Sequence, residues 1–114
     1  MKKFILFLLK PGFYDNKEGP FFCPECATVE GFLKYVPELE NQIDVRRVDF
    51  QKPRKEIVEM LGVSHQGCPV LLLDDIRDHT EAKISEETGK PYLAGGTQIC
   101  DFLGRKFSVV RPHL

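Results

Sequence analysis

Residues 4–9, Phe-Ile-Leu-Phe-Leu-Leu, set six large apolar side chains in unbroken succession. A strand with one wet face alternates apolar and polar residues, so an unbroken run belongs to a strand covered on both sides. Such a strand needs helices above and below its sheet. Two lysines ahead of the run imitate the start of a secretory signal, but Lys10-Pro11 ends it and no small-residue cleavage site follows. No other apolar run approaches the length of a membrane span. The expectation is a soluble, cytoplasmic protein with no membrane partner.

The pattern downstream supplies the helices. Pro24 suits a first helical position, and Val29, Phe32, Leu33 and Val36 fall at i, i+3, i+4 and i+7 before Pro37 ends the run. Gly31 inside that stretch reads as a site of close packing against a strand. Residues 44–50 read as a second strand, with Val45 and Val48 on opposite faces. Pro53 opens a second helix with Ile57, Val58 and Leu61 on its apolar side, and Gly62 is its stop. Residues 69–73 form a third strand, and residues 91–96, Pro-Tyr-Leu-Ala-Gly-Gly, a short fourth strand and turn. Thr97 is expected to cap a third helix that buries Ile99, Phe102 and Leu103. Residues 10–22 read as a long surface loop and residues 74–90 as a solvated excursion.

The expected order is β-α-β-α-β-β-α in one domain over residues 1–114. The first two strands, joined by a helical crossover, should be parallel and the last two antiparallel. The result is an α/β fold with a four-stranded mixed sheet and helices on both faces. A formal net charge of −1 offers no field for a phosphate backbone, so nucleic acid is not an expected partner.

The chain has four cysteines, Cys23, Cys26, Cys68 and Cys100. In a reducing compartment they are better read as thiols, redox groups or ligands than as permanent bridges. Cys23 stands where the first helix begins, and unsatisfied N–H groups and the positive end of the helix dipole favour a thiolate there. Cys26, separated from it by two residues, can close and open a disulfide with Cys23 with little backbone movement. Glu25 between them should raise the Cys23 pKa and make the pair more reducing. The same spacing serves zinc sites, and two small buried side chains would also show it. Cys68-Pro69 is a second clue, a proline placed at the head of an apolar strand as if its peptide bond were cis.

Three segments in order resemble glutaredoxins and the wider thioredoxin-like fold. Cys-Pro-Glu-Cys at 23–26 is similar to the C-P-x-C active site. Gly-Cys-Pro-Val-Leu-Leu-Leu at 67–73 is similar to the segment whose cis proline packs against that site, here and in the N-terminal domains of glutathione transferases. Tyr-Leu-Ala-Gly-Gly-Thr-Gln-Ile-Cys-Asp-Phe-Leu at 92–103 looks like the turn into the last helix. The resemblance implies a thiol–disulfide oxidoreductase with Cys23 as nucleophile, Cys26 as resolving thiol and Pro69 beside them. It further implies that the backbone of Cys68 meets the cysteinyl part of a γ-glutamyl thiol, and that Thr97 and Gln98 present N–H groups to its carboxylate.

No cofactor is then required. Glutathione is an expected thiol donor, and the expected partners are glutathione or a disulfide-containing protein. Glutaredoxins carry an acidic residue where Gln98 stands and a lysine where Pro20 stands. More narrowly, residues 8–13, 21–33, 44–50 and 111–114 are similar to a family of small bacterial proteins of unknown function with this fold. With Cys68 near the pair, Cys23, Cys26 and Cys68 could alternatively hold zinc or an iron–sulfur cluster, or the chain could be an adaptor without turnover.

Other residues read more plainly. Cys100 is expected in the core, and His65 and His113 as exposed or locally bonded. Asp74, Asp75, Asp78 and His79 read as a solvated turn, lacking the spacing of a calcium loop. Phe13, Tyr14, Phe21 and Phe22 either pack the long loop onto the body or flank the reactive site.

Overall fold

A computed structural model describes residues 4–74 and 81–114. The elements are β1 (Ile5–Leu9), β2 (Phe13–Asp15), β3 (Glu18–Phe21), α1 (Pro24–Tyr35), a 3-10 turn at Pro37–Asn41, β4 (Asp44–Val48), α2 (Lys55–Leu61), β5 (Val70–Leu72), β6 (Lys83–Ile84), β7 (Pro91–Ala94) and α3 (Gly96–Phe107). The fold is mixed α/β. Its main sheet runs β4-β1-β5-β7-β6, with β1 and β4 parallel and every other pairing antiparallel.

The unbroken apolar run explains the layering. In β1, Leu6 and Leu8 join a core cluster with Val29, Phe32 and Leu33 of α1 and Ile99, Phe102 and Leu103 of α3. On the opposite face Phe7 meets Ile57 and Leu61 of α2, with Val70, Leu72 and Tyr92. Alternate side chains of one strand thus serve two cores, each worth about 25 cal/mol per Å² of apolar surface removed from water.

The sheet has five strands rather than the expected four. The fifth is β6, a two-residue strand paired to β7 within the segment expected to be a solvated excursion. That segment is also anchored. Ser85 is buried and its hydroxyl donates to the Leu61 carbonyl at 2.6 Å. The Glu87 carboxylate accepts from the Val63 and Ser64 N–H groups, closing the turn after α2. Asp75, Asp78 and His79 lie outside the described residues.

The loop expected over residues 10–22 is instead a two-stranded hairpin, β2-β3, turned at Asn16 and Lys17 with φ of 54° and 70°. Two central residues with positive φ match the strand twist in a tight hairpin, and asparagine tolerates that region well. Phe13 stacks on Phe50 with ring centroids 4.3 Å apart, while Tyr14, Phe21 and Phe22 stay exposed.

Two further expectations are corrected. Gly31 packs against nothing: a side chain there would meet open space, because the residue opens onto an apolar groove on the outer side of α1. Thr97 is not the cap of α3. The helix starts at Gly96 with Gly95 as its cap residue, at φ +94°, so Thr97 lies exposed inside the first turn. Gly62 does terminate α2, at φ +92°, while α2 itself begins at Lys55, two residues after Pro53.

Candidate functional site

One end of the sheet collects the thiols. Strand β1 ends at Leu9, and after the hairpin the chain returns to start α1 beside it. Strand β5 runs antiparallel to β1 with Val70 opposite Phe7, which brings Cys68-Pro69 to the same end; β7 places Ala94 opposite Val70, so α3 also begins there. The Cys68-Pro69 peptide is cis, as the sequence position suggested.

Cys23 is the N-cap residue of α1, in extended backbone, and its sulfur accepts the Cys26 N–H at 3.3 Å. A helix start leaves N–H groups without internal partners, and here a sulfur takes one of them. The same sulfur lies 3.8 Å from the Cys68 carbonyl oxygen, to which the thiol donates. Cys23 is partly exposed; Cys26 is buried behind it at 2% and accepts the Leu9 N–H at 3.4 Å. Burial pushes the Cys26 thiol up to about 12, against the lowering effect of the Leu9 N–H. Burial likewise pushes Cys68 up to about 11, with the Arg54 guanidinium working against it. All four cysteines are free thiols.

Two depressions lie at this end of the sheet. On one side a groove of about 310 Å³ is lined by Leu9, Pro11, Phe22 and Ala27 together with Cys23 and Cys26. On the other a cleft of about 300 Å³ is lined by Glu25, His65, Gln66, Cys68, Lys83 and Tyr92, among others. The first is mostly apolar, the second carries the polar groups.

Three residues at this site make contacts that the local sequence pattern does not encode. Arg54, 8% exposed, donates to the Phe50 carbonyl from Nε and one terminal nitrogen and to the Gln66 carbonyl from the other, at 2.6–3.0 Å. Its own N–H donates to the Gln66 side chain. It therefore fixes the turn that carries Cys68. Within Lys-Pro-Arg-Lys-Glu it reads as one more surface charge, and only the tertiary structure buries it.

His65 is the second, with Nε2 2.8 Å from Glu86 and Nδ1 3.4 Å from the Tyr92 hydroxyl. The third is Glu25. Its carboxylate accepts the Gly96 N–H at 2.9 Å, so the residue between the two cysteines caps the start of α3.

The expected site residues therefore divide. Cys23, Cys26, Cys68 and Pro69 come together at one end of the sheet. Thr97 and Gln98 occupy the first turn of α3 next door, where Glu25 already holds the first N–H. Cys100 is buried on α3, its thiol 4.0 Å from the Thr28 carbonyl, and burial pushes it up to about 11. Among the described residues no group of three or more His, Cys, Asp or Glu side chains is placed to hold a metal ion.

Residues 3–111 match a protein family described as proteins of unknown function, DUF3088. The chain belongs to that family. The match takes in every strand and helix described above, so the thiol cluster lies wholly within the family's span. No curated protein and no solved structure is similar enough to be matched with the chain. No helix among the described residues is long and apolar enough to cross a membrane.

Proposed function

We propose that the chain is a thiol–disulfide oxidoreductase of thioredoxin-like, glutaredoxin-type fold, acting through Cys23 and Cys26. The observation that carries this reading is the unequal placement of the two thiols. Cys23 sits at the mouth, capping a helix and partly exposed, and Cys26 is one turn behind it, buried. Support for the fold comes from the β1-α1-β4 crossover, the antiparallel β5-β7 pair and the position of Pro69 beside the cysteines.

In the first step the Cys23 thiolate attacks one sulfur of a substrate disulfide. The S–S bond breaks, a mixed disulfide forms, and the other substrate sulfur leaves as a thiolate that takes a proton from water. In the second step Cys26 gives up its proton and attacks the Cys23 sulfur, releasing the remaining substrate thiol. The substrate has gained two electrons and the chain holds a Cys23–Cys26 disulfide, which two equivalents of a thiol donor reduce again. Burial keeps the Cys26 thiol protonated at neutral pH, so it must give up its proton as it attacks.

The test is Cys26→Ser. It should accumulate a mixed disulfide through Cys23 with a disulfide peptide. Absence of any adduct under conditions where free peptide thiols exchange would overturn the reading. The metal-holding alternative at Cys23, Cys26 and Cys68 is decided by elemental analysis of protein purified without chelator, since it requires near-stoichiometric zinc or iron that Cys68→Ser removes.

A further inference from the structure

The first turn of α3 is closed from two directions. Its Gly96 N–H is held by the Glu25 carboxylate at 2.9 Å, and Gly96 lies so close to α1 that a side chain there would come within 2.6 Å of the Glu25 carbonyl oxygen. On the other side the Gln98 side chain folds back over Gly95, into the space a β-carbon at Gly95 would take. Helix α3 has no acidic residue in its own first turn and no cap from its own side chains. A free helix start of this kind attracts an anion, because its N–H groups and dipole both favour negative charge. Here the chain has supplied that anion itself, from the residue between its two reactive cysteines.

We infer that Glu25 is a built-in carboxylate that occupies the α3 start and so selects against thiol substrates whose own carboxylate would be placed there. Glu25 also lines the 300 Å³ cleft beside Cys68. A substrate carboxylate entering there finds the first N–H of α3 taken and a like charge beside it, and like charges at this range disfavour one another. The site is thereby mismatched to γ-glutamyl thiols such as glutathione and favours disulfide substrates with no carboxylate at that position. Thr97 and Gln98, the residues expected to receive a γ-glutamyl carboxylate, are exposed in the same turn, next to the held Gly96 N–H. The inference rests on the oxidoreductase reading for its meaning, but its test does not.

The probe is S-methylglutathione, whose blocked sulfur cannot exchange, so binding is read without any reaction at Cys23. Titrated into the full-length reduced protein and followed by calorimetry and by the Gly96 amide resonance, it should bind Glu25→Ala about tenfold or more tighter than the parent chain. The Gly96 resonance should move with probe in the variant and stay fixed in the parent. Equal affinity for the two proteins, including no binding to either, overturns the inference. If Glu25→Ala does not fold, Glu25→Gln replaces it; its amide oxygen still holds the Gly96 N–H, so only the affinity gained by removing the like charge is expected, and equal affinity again overturns the inference. A failed Cys26→Ser trapping experiment would leave this result untouched, and an equal-affinity result here would leave the trapping result untouched.

Discussion

Helices α1 and α3 lie side by side, each of 12 residues, and both begin at the same end of the sheet. They satisfy their first turns by different means. The α1 start is met by the sulfur of Cys23, a weak acceptor; the α3 start is met by the carboxylate of Glu25, a strong and charged one. One helix start is therefore met by a weak neutral acceptor and its neighbour's by a charged one. The difference separates a place that can do chemistry from one that holds structure. Glu25 connects the two, because it is rooted in the first turn of α1 and spends its charge on α3.

The contrast is broken most sharply at Cys23. Cys23→Ser keeps an oxygen acceptor at the cap of α1 and removes the thiol proposed as the nucleophile. Disulfide exchange should fall by about 10³-fold or more, while folding stability stays level or rises by about 0.5–1 kcal/mol, since serine is the better cap. Peptide-disulfide kinetics and urea unfolding measure the two sides; a stability loss of the same order as that gain would show that the sulfur is not merely a weak cap.

Arg54 comes next in size. It stands at the start of α2, where a cation opposes the helix dipole, and it is held there by two backbone carbonyls. Arg54→Met leaves those carbonyls buried without partners and should cost about 3 kcal/mol in chemical unfolding. Arg54→Lys should recover only part of this, because an ammonium cannot reach both the Phe50 and Gln66 carbonyls as the guanidinium fork does.

A pH series sharpens the comparison further. Cys26 and Cys68 have folded-state pKa values raised to about 12 and about 11 from an ordinary thiol value of 9.0. Above that ordinary value the unfolded chain loses protons that the folded chain keeps, so their stabilising contribution is complete below about pH 9 and is lost between about pH 9 and 12. Thermal unfolding across pH 8–11 should show a falling midpoint, and Cys26→Ala should flatten the slope. Alkylation at neutral pH should mark Cys23 well before Cys68 or Cys26.

The smallest effect falls on the α3 side. Glu25→Gln keeps an acceptor for the Gly96 N–H and loses the charge, and should cost about 0.5–1 kcal/mol. Raising the salt concentration should narrow the gap between variant and parent.

What the sequence disclosed follows from how locally each feature is encoded. Val29, Phe32, Leu33 and Val36 announce α1 because a 3.6-residue period needs nothing but its own stretch of chain, and all four are buried. The unbroken run of β1 likewise states that both faces are covered. Hairpin β2-β3 escaped notice because its strands are three and four residues long, mostly exposed, and interrupted by Gly19 and Pro20, so neither alternation nor composition marks them. Strand β6 is two residues long and exists only by pairing with β7.

At the site, the Cys23–Cys26 spacing was visible in four consecutive residues. The Glu25–Gly96 contact joins residues 71 apart, and no local rule anticipates it. Gly31 shows the opposite error. A glycine in a helix reads as close approach, yet here it faces an open groove, and its cost in helix propensity is offset by no contact in the structure.

The stacked rings of Phe13 and Phe50 extend one layer further, because the Arg54 guanidinium lies 5.3 Å from the Phe50 ring centre. Hairpin, ring, guanidinium and the Gln66 carbonyl form a continuous column that ends two residues before Cys68. The hairpin is thus mechanically in series with the turn that carries a site thiol. A force or a partner that lifts the hairpin must first unstack Phe13 from the ring that Arg54 rests on, so the tip at Asn16 and Lys17 is a remote handle on the geometry around Cys68.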